Sequence, residues 1–199
     1  MKQTVNHGQR IGIFVDVQNL YHSAKNLYGG RVNYNELIKY LVCGRQLIRA
    51  MAYVVKSEGI VEVARHEPAA RGNRGVQAHP NFSQKNLGGL SSEAAFFEAL
   101  EKAGLELRVK DLQVFAGGMK KADWDVGMAV DAIRMSSFLD VVILVTGDGD
   151  FLPLIDYLKW GVGRFVEVAA FKRSTSLKVQ EVADRFINIE EIPRIIIKK

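Results

Sequence analysis

The chain has 199 residues, an apolar share of 48% and a formal net charge of +5, values that are typical of one globular domain. The longest uninterrupted apolar run, VVILV at 141–145, is too short to cross a bilayer, and the N-terminus lacks the apolar segment of a secretion signal. The single cysteine, Cys43, excludes an internal disulfide and favours a reducing compartment, so we expect a cytoplasmic protein with no membrane partner.

The first part of the chain alternates between strand and helix patterns. The apolar run RIGIFVDV at 10–17 predicts a buried strand, and the helix that follows it is ended by a pair of glycines. Asn33 and Glu36 form a capping-box pattern at the start of a second helix. The apolar stretch 47–55 predicts the next strand.

The same alternation continues in the second part of the chain. Helices are predicted over 91–104, 123–138 and 151–161, and strands over 105–115, 141–147 and 164–171. Ser91 is the predicted cap of the first of these helices. Two short apolar segments near the end, FINIEEI and RIIIK, are predicted either to add short strands or to pack against the core.

Alternating strands and helices predict βαβ units, which build a parallel sheet covered by helices on both faces. We therefore expect a single α/β domain over residues 1–199. One segment departs from the alternation, since 57–90 is rich in Gly, Asn, Pro and Arg and has no periodicity. A loop of this length is uncommon inside a compact domain, so we interpret it as an inserted loop.

Acidic residues follow two of the predicted strands and begin one predicted helix. Asp16 ends the first strand, and Asp148 and Asp150 follow the apolar run 141–145 in the sequence TGDGD. Because the carboxyl ends of parallel strands meet at one edge of a sheet, these acids are expected to lie close together. The glycines between them allow a tight bend that turns both carboxylates to one point. Asp125 in the first turn of its helix is a further candidate.

Each acid also has a simpler explanation when it is considered alone. Asp150 is suited to capping the helix that follows it, and Asp125 to compensating a helix dipole. Asp131 lies about 240° around the helix from Asp125, and an ion pair with a basic residue such as Arg134 explains it better. Asp16 is the hardest to explain in this way, because an ionisable group after an apolar strand is costly to bury without a partner.

Several carboxylates that converge on one point raise each other's pKa unless a cation lies among them. Carboxylate oxygens are suitable ligands for hard divalent cations such as Mg²⁺. Two such ions ~4 Å apart activate a water molecule and stabilise the leaving oxygen of a phosphodiester. The acids therefore predict a divalent metal site.

Three motifs carry these acids: FVDVQNLY at 14–21, KKADWDVGMAVDAI at 120–133 and VTGDGDF at 145–151. In their order and internal spacing they resemble the signatures of the NYN domain family, the LabA-like branch of the PIN-type nucleases. The resemblance implies a Rossmann-like (PIN-like) three-layer α/β sandwich with a mostly parallel central sheet. It also implies an endoribonuclease that depends on Mg²⁺ or Mn²⁺.

The resemblance also assigns roles to individual residues. Four carboxylates would be catalytic and would bind the metal: Asp16, Asp125, Asp148 and Asp150. Asn19 would orient Asp16 or the substrate, and Thr146 would support the loop. Asp131 matches a family position as well, and the resemblance leaves its role open.

Basic residues near the predicted carboxyl edge are candidates for binding RNA phosphates. They are Lys120, Lys121, Lys172 and Arg173. A solvated surface is the alternative explanation for them. The aromatic residues Trp124, Phe151 and Phe171 would stack on bases if they were exposed, but core packing is the better explanation for Phe151 and Phe171.

Two functions remain after this comparison. One is a metal-dependent endoribonuclease that hydrolyses RNA phosphodiester bonds by a two-metal-ion mechanism. The other is a non-catalytic RNA-binding or regulatory protein that uses the same acidic metal site. The chain has no GxGxxG after its first strand and no GxxxxGK[ST], which argues against a dinucleotide or P-loop site. RNA specificity and assembly into a homo-oligomer are left open by the sequence.

Overall fold

The computed structural model describes residues 6–56, 87–111, 113–114, 120–121 and 123–198, and their side chains except at 87–92, 113–114 and 120–121. Strands and helices alternate along these residues, as predicted. The strands are β1 (Arg10–Asp16), β2 (Gly30–Val32), β3 (Gln46–Lys56), β4 (Glu106–Asp111), β5 (Gln113–Val114), β6 (Lys120–Lys121), β7 (Val141–Val145), β8 (Phe165–Ala170), β9 (Arg185–Asn188) and β10 (Ile196–Lys198). The α-helices are α1 (Val17–Tyr28), α2 (Tyr34–Val42), α3 (Leu87–Lys102), α4 (Asp125–Ser136), α5 (Leu152–Asp156) and α6 (Leu177–Val182).

Six of the strands form one parallel sheet in the order β4-β3-β1-β7-β8-β9. Parallel neighbours need crossover connections, and the helices provide them on both faces of the sheet. The other strands form two short antiparallel pairs, β2 with β10 and β5 with β6. The predicted three-layer α/β sandwich with a mostly parallel central sheet is confirmed, and RIIIK contributes a strand outside that sheet.

The central strands β1 and β7 send alternate side chains into two apolar layers. Ile13 and Val15 pack in one layer with α1, α2 and α3, whereas Phe14 between them packs in the other with α4 and α5. All three side chains are fully buried. Burial on both faces explains why the sequence shows a continuous apolar run here and not an alternation of apolar and polar residues.

Four of the predicted strands are shorter in the structure than in the prediction, and the two at 10–17 and 105–115 show what ends them. The strand predicted over 10–17 ends at Asp16, because the side chain of this residue caps α1 and the residue after it is already helical. The strand predicted over 105–115 ends at Asp111. Its last part instead forms β5, which pairs with β6 outside the main sheet.

The helix predicted over 91–104 also has a different start. It begins at Leu87, so Ser91 lies inside α3 and is not its cap. The first turn of α3 therefore takes up the end of the predicted loop 57–90. The rest of that loop, 57–86, lies outside the described residues.

The helix predicted over 151–161 is irregular. A 3-10 turn at Gly149–Phe151 precedes α5, and a π-helical turn at Tyr157–Gly161 follows it. In the π turn the amide of Val162 donates to the carbonyl of Tyr157 at 3.0 Å, which is the five-residue spacing of a π-helix. None of the helices in the described part of the chain is long and apolar enough to span a bilayer.

The predicted cap of α2 is present in one half of its capping box. The side chain of Asn33 accepts a hydrogen bond from the amide of Glu36 at 3.3 Å. In a complete capping box the side chain of Glu36 would accept from the amide of Asn33. Here that amide donates to the carbonyl of Ile195 at 2.7 Å instead. The carboxylate of Glu36 instead pairs with Arg194 at 3.1 Å. The start of α2 is thereby connected to the C-terminal segment.

A buried ion pair connects the turn before β3 with β8 at the end of the sheet opposite to the acids. The guanidinium of Arg45 donates to both carboxylate oxygens of Glu167 at 3.0 and 2.9 Å, and each of the two side chains is 3% exposed. Arg185 donates to the same carboxylate at 3.3 Å. A buried charge that loses its partner is strongly destabilising, so this pair makes the fold sensitive to substitution.

We expect Arg45→Met to lower the free energy of unfolding by about 3–5 kcal/mol, because it leaves the carboxylate of Glu167 buried with only the longer bond from Arg185. Urea denaturation of the purified protein measures the change. The matched control is Arg49→Met, which removes an exposed pair with Glu106 and is expected to cost at most about 1 kcal/mol. Equal costs for the two variants would contradict the prediction.

Candidate metal centre

The ends of β1 and β7 lie side by side, since the two strands are parallel neighbours and Val15 pairs with Val145. Thr146 follows β7 and is buried. Its hydroxyl donates to Oδ2 of Asp16 at 3.2 Å and accepts from the amide of Asp148 at 3.2 Å. Thr146 therefore joins the acid after β1 to the acidic loop after β7.

Asn19 makes a second connection between the two strand ends. Its backbone amide donates to Oδ1 of Asp16 at 3.0 Å, so Asp16 is the N-cap of α1. Its side-chain oxygen accepts from the amide of Gly147 at 3.0 Å. The backbone of Asn19 thus holds the carboxylate of Asp16, whereas the side chain of Asn19 holds the loop.

Gly147 is required by close packing. A Cβ atom at this position would lie 2.7 Å from Oγ1 of Thr175 and 3.2 Å from the carbonyl oxygen of Ser174. Neither Gly147 nor Gly149 has a positive φ, so the tight bend predicted from the two glycines is not the reason for glycine at 147. The absence of a side chain lets the loop after β8 pack directly on the acidic loop.

Three carboxylates converge beside this loop. Asp125 lies in the first turn of α4, and Asp148 and Asp150 lie at the 3-10 turn before α5. One carboxylate oxygen from each lies within 4.8 Å of the other two. The side chain of Asp148 also accepts from the amide of Asp150 at 3.0 Å and caps the 3-10 turn. The prediction that Asp150 caps the following helix is wrong, because Phe151 is the N-cap residue of α5 and Asp148 caps the 3-10 turn before it.

The structure places Asp16 next to this group but not within it. Both of its carboxylate oxygens accept hydrogen bonds, one from the amide of Asn19 and one from the hydroxyl of Thr146. Burial raises the pKa of Asp16, these bonds oppose the rise, and the charge of Asp148 adds to it. Asp16 is thus a fixed, electrostatically coupled neighbour of the three clustered carboxylates.

The cluster concentrates negative charge at the start of α4 and before α5. Burial is the first cause that raises the pKa of Asp125, followed by the charges of four other carboxylates. They are Asp16, Asp123, Asp148 and Asp150. Since each nearby charge disfavours ionisation, a bound cation would relieve the repulsion. Converging carboxylate oxygens are the ligand chemistry of Mg²⁺ and Mn²⁺, so the residues present fit such an ion.

Asp131 lies away from the cluster and has its own partners. Its Oδ2 accepts from the hydroxyl of Tyr53 at 3.1 Å and pairs with Nε of Arg108 at 3.3 Å. An ion pair was the preferred explanation of this residue from the sequence, but the partner is Arg108 on β4 and not Arg134 on the same helix. Asp131 supports the packing of α4 against the sheet.

The aromatic residues that were candidates for base stacking pack inside the protein. Phe151 and Phe171 are buried in the core, as the sequence favoured. Trp124 donates its Nε1–H to the carbonyl of Val54 at 2.9 Å and packs edge-on to Tyr53. The three residues therefore stabilise the fold and are not free platforms for a base.

The basic candidates have different surroundings. Lys172 and Arg173 follow β8 in a 3-10 turn at the carboxyl edge, and both are exposed. Arg173 pairs with Glu190 at 3.4 Å and lies over the ring of Tyr28 at 5.2 Å. The backbone of Lys120 and Lys121 forms β6, and their side chains lie outside the described part of the structure.

The sequence prediction missed an apolar groove that begins at the cluster. It lies between α4 and the irregular helix after Asp150, and its volume is about 320 Å³. Its lining residues are Asp125, Val126, Ala129, Ile133, Asp150, Phe151, Pro153, Leu154 and Tyr157. The signal was the apolar spacing at 126, 129 and 133, which places three side chains on one face of α4. That spacing alone does not show whether this face of α4 is exposed or packs against another element.

A parallel three-layer sandwich with acids at its carboxyl edge is consistent with the PIN-like class of α/β proteins. The chain belongs to the NYN domain family, whose model matches residues 10–190. NYN domains are typically nucleases. The chain is also similar to the solved structure of a protein of unknown function from Vibrio parahaemolyticus RIMD 2210633, with 27% identity, 98% of this chain and 100% of that chain covered, and a TM-score of 0.74. No curated protein matches the chain.

We expect Asp125→Asn to raise the free energy of unfolding of the metal-free protein at neutral pH. The folded state raises the pKa of Asp125 above 3.8, so it binds the proton more tightly than the unfolded state does. Stability is therefore lost as the pH rises from 3.8 through the raised value, and the substitution removes this loss. Thermal unfolding in EDTA at a series of pH values measures the effect.

Asp131→Asn is the matched control on the same helix. It weakens the ion pair with Arg108, so it is expected to lower the stability by up to about 1 kcal/mol. Opposite signs for the two substitutions at neutral pH support the electrostatic description of the cluster. Destabilisation by Asp125→Asn that is independent of pH would contradict it.

Proposed function

We propose that the protein is a Mg²⁺- or Mn²⁺-dependent endoribonuclease of the LabA-like branch, which hydrolyses RNA phosphodiester bonds in the cytoplasm by a two-metal-ion mechanism. The observation that carries the proposal is the convergence of Asp125, Asp148 and Asp150 within 4.8 Å in a chain of the NYN family. The alternative, a non-catalytic RNA-binding protein with the same site, differs in its chemistry and not in its residues.

The clustered carboxylates would hold the metal, and Asp16 is proposed as the fourth catalytic ligand. Divalent cations at such a site activate water for attack on phosphorus and stabilise the departing oxygen. Asp148 is kept in place by two hydrogen bonds, since its amide donates to the hydroxyl of Thr146 and its carboxylate accepts from the amide of Asp150, so the carboxylate needs little reorganisation on binding. Asp16 is kept in place by Asn19 and Thr146 in the same way.

The RNA backbone would approach along the carboxyl edge of the sheet. Lys172 is exposed there, and the loop that carries it packs against Gly147 of the acidic loop through Ser174 and Thr175. An exposed ammonium on the neighbouring loop suits a phosphate contact beside the bond that is cut. We propose the same role for Arg173, Lys120 and Lys121. Arg173 would leave its ion pair with Glu190 to bind the phosphate.

We expect Asp148→Asn to reduce the rate of RNA cleavage by at least about a hundredfold, because outer-shell partners of metal ligands already contribute about 10- to 100-fold. The measurement is cleavage of a mixed RNA pool by purified protein in the presence of Mn²⁺. Asp156→Asn is the control, since Asp156 is an exposed acid on α5 outside the cluster, and it is expected to leave the rate unchanged.

The same experiment separates the two functions. Cleavage by the wild-type protein that Asp148→Asn abolishes and Asp156→Asn retains supports the endoribonuclease. Tight retention of uncut RNA with Mn²⁺ would instead favour the non-catalytic RNA-binding protein. Equal cleavage by the wild type and Asp148→Asn would overturn the proposed mechanism.

A further inference from the structure

We propose that the groove between α4 and the helix after Asp150 binds an unpaired nucleobase of the RNA, which stacks on Tyr157. The inference rests on the proposed nuclease function and names a substrate subsite for it. The nucleotide in question is the one next to the phosphate at the carboxylate cluster. The substrate class that follows is single-stranded RNA.

The groove and the cluster are continuous. Asp125 and Asp150 belong to the group of converging carboxylates and also line the groove. A phosphodiester placed at the cluster thus brings one of its neighbouring nucleosides to the groove entrance. The volume of about 320 Å³ lies at the small end of ligand pockets and suits one flat group, not a protein segment.

The walls of the groove offer apolar and flat surfaces beyond the two acids. Val126 and Ile133 project from α4 and are 74% and 39% exposed. Pro153 and Tyr157 face them from the other wall, and the Tyr157 ring is 49% exposed. Each base has a flat π-face that stacks on an aromatic ring, so this composition accepts a base without selecting its identity.

The side chain of Tyr157 packs against the backbone of its own helical turn. It begins the π-helical turn, and its ring packs on Gly161, where a Cβ atom would lie 3.1 Å from the ring. The missing side chain at 161 therefore leaves the space that the ring occupies. Packing of this half-exposed side chain against Gly161 reduces the conformational entropy that is lost when a base stacks on the ring.

The presence of carboxylates in the groove favours a nucleotide over a second copy of this chain. An apolar protein partner would cover Asp125 and Asp150 without compensating their charge, which is costly. A nucleotide arrives with cations associated with its phosphate, and these cations compensate the charge of the carboxylates. A base inside a duplex is stacked on its neighbours and is not available to the groove, so the RNA has to be single-stranded here.

The test measures binding of oligouridines in the Asp148→Asn protein, which is expected not to cut them. A series of labelled oligouridines carries one abasic nucleotide at successive positions. We expect one position at which loss of the base weakens binding about tenfold, and Tyr157→Ala to weaken binding of the intact oligouridine by a similar factor. The two losses should not add, because both remove the same contact. Tyr157→Phe should retain the affinity.

The control variant is Phe138→Ala, which removes an exposed aromatic residue after α4 that does not line the groove. It is expected to leave binding unchanged. Additive losses, a flat abasic series or an equal effect of Phe138→Ala would overturn the inference. The same holds if sedimentation shows that Tyr157→Ala turns a dimer into a monomer while RNA binding is retained.

Failure of the inference is distinguishable from failure of the proposed function. Cleavage that depends on Asp148, together with a flat abasic series, would leave the nuclease in place and remove only the subsite. If the wild-type protein neither binds nor cuts oligouridine or the mixed RNA pool, both proposals are wrong.

Discussion

The candidate site depends on the hydrogen-bonded connection between the ends of β1 and β7. The two strands are parallel neighbours, so the pairing of the strands alone brings Asp16 and the acidic loop to one edge. Thr146 and Asn19 then join the two ends, one through its hydroxyl and one through its amide oxygen. This connection opposes the repulsion between the acids, which raises the pKa of Asp125.

The hydrogen bonds between the two strand ends hold carboxylates close together although these carboxylates repel each other. A hydroxyl that donates to Asp16 stabilises its charged form, and the rigid loop keeps Asp148 close although both residues are acidic. A fold selected for stability alone would neutralise such a group or spread it apart. Destabilising charge that is held in place by a dedicated set of hydrogen bonds is typical of a site that is completed by a cation.

The sequence predicted the sheet, the order of its elements and the acids at its edge, because these depend on apolar periodicity and on the chain direction of parallel strands. It did not predict which acid caps the turn, since Asp148 and Asp150 differ only in how the loop bends in space. The partner of Asp131 was missed for a similar reason: Arg108 lies on another strand and is brought close only by folding. Strands and many helix caps can be predicted from local sequence patterns. Contacts between distant segments cannot, because they form only when the sheet is assembled.

The irregular helix after β7 contributes residues to both the carboxylate cluster and the apolar groove. Its 3-10 turn presents Asp150 at one end, and its π turn presents Tyr157 at the other. A regular helix over the same residues would change the angle between these two side chains, because each kind of turn advances by a different angle per residue. The departure from regular geometry therefore fixes the position of an apolar wall relative to a carboxylate. That relation is what a substrate with a flat base and a charged phosphate requires.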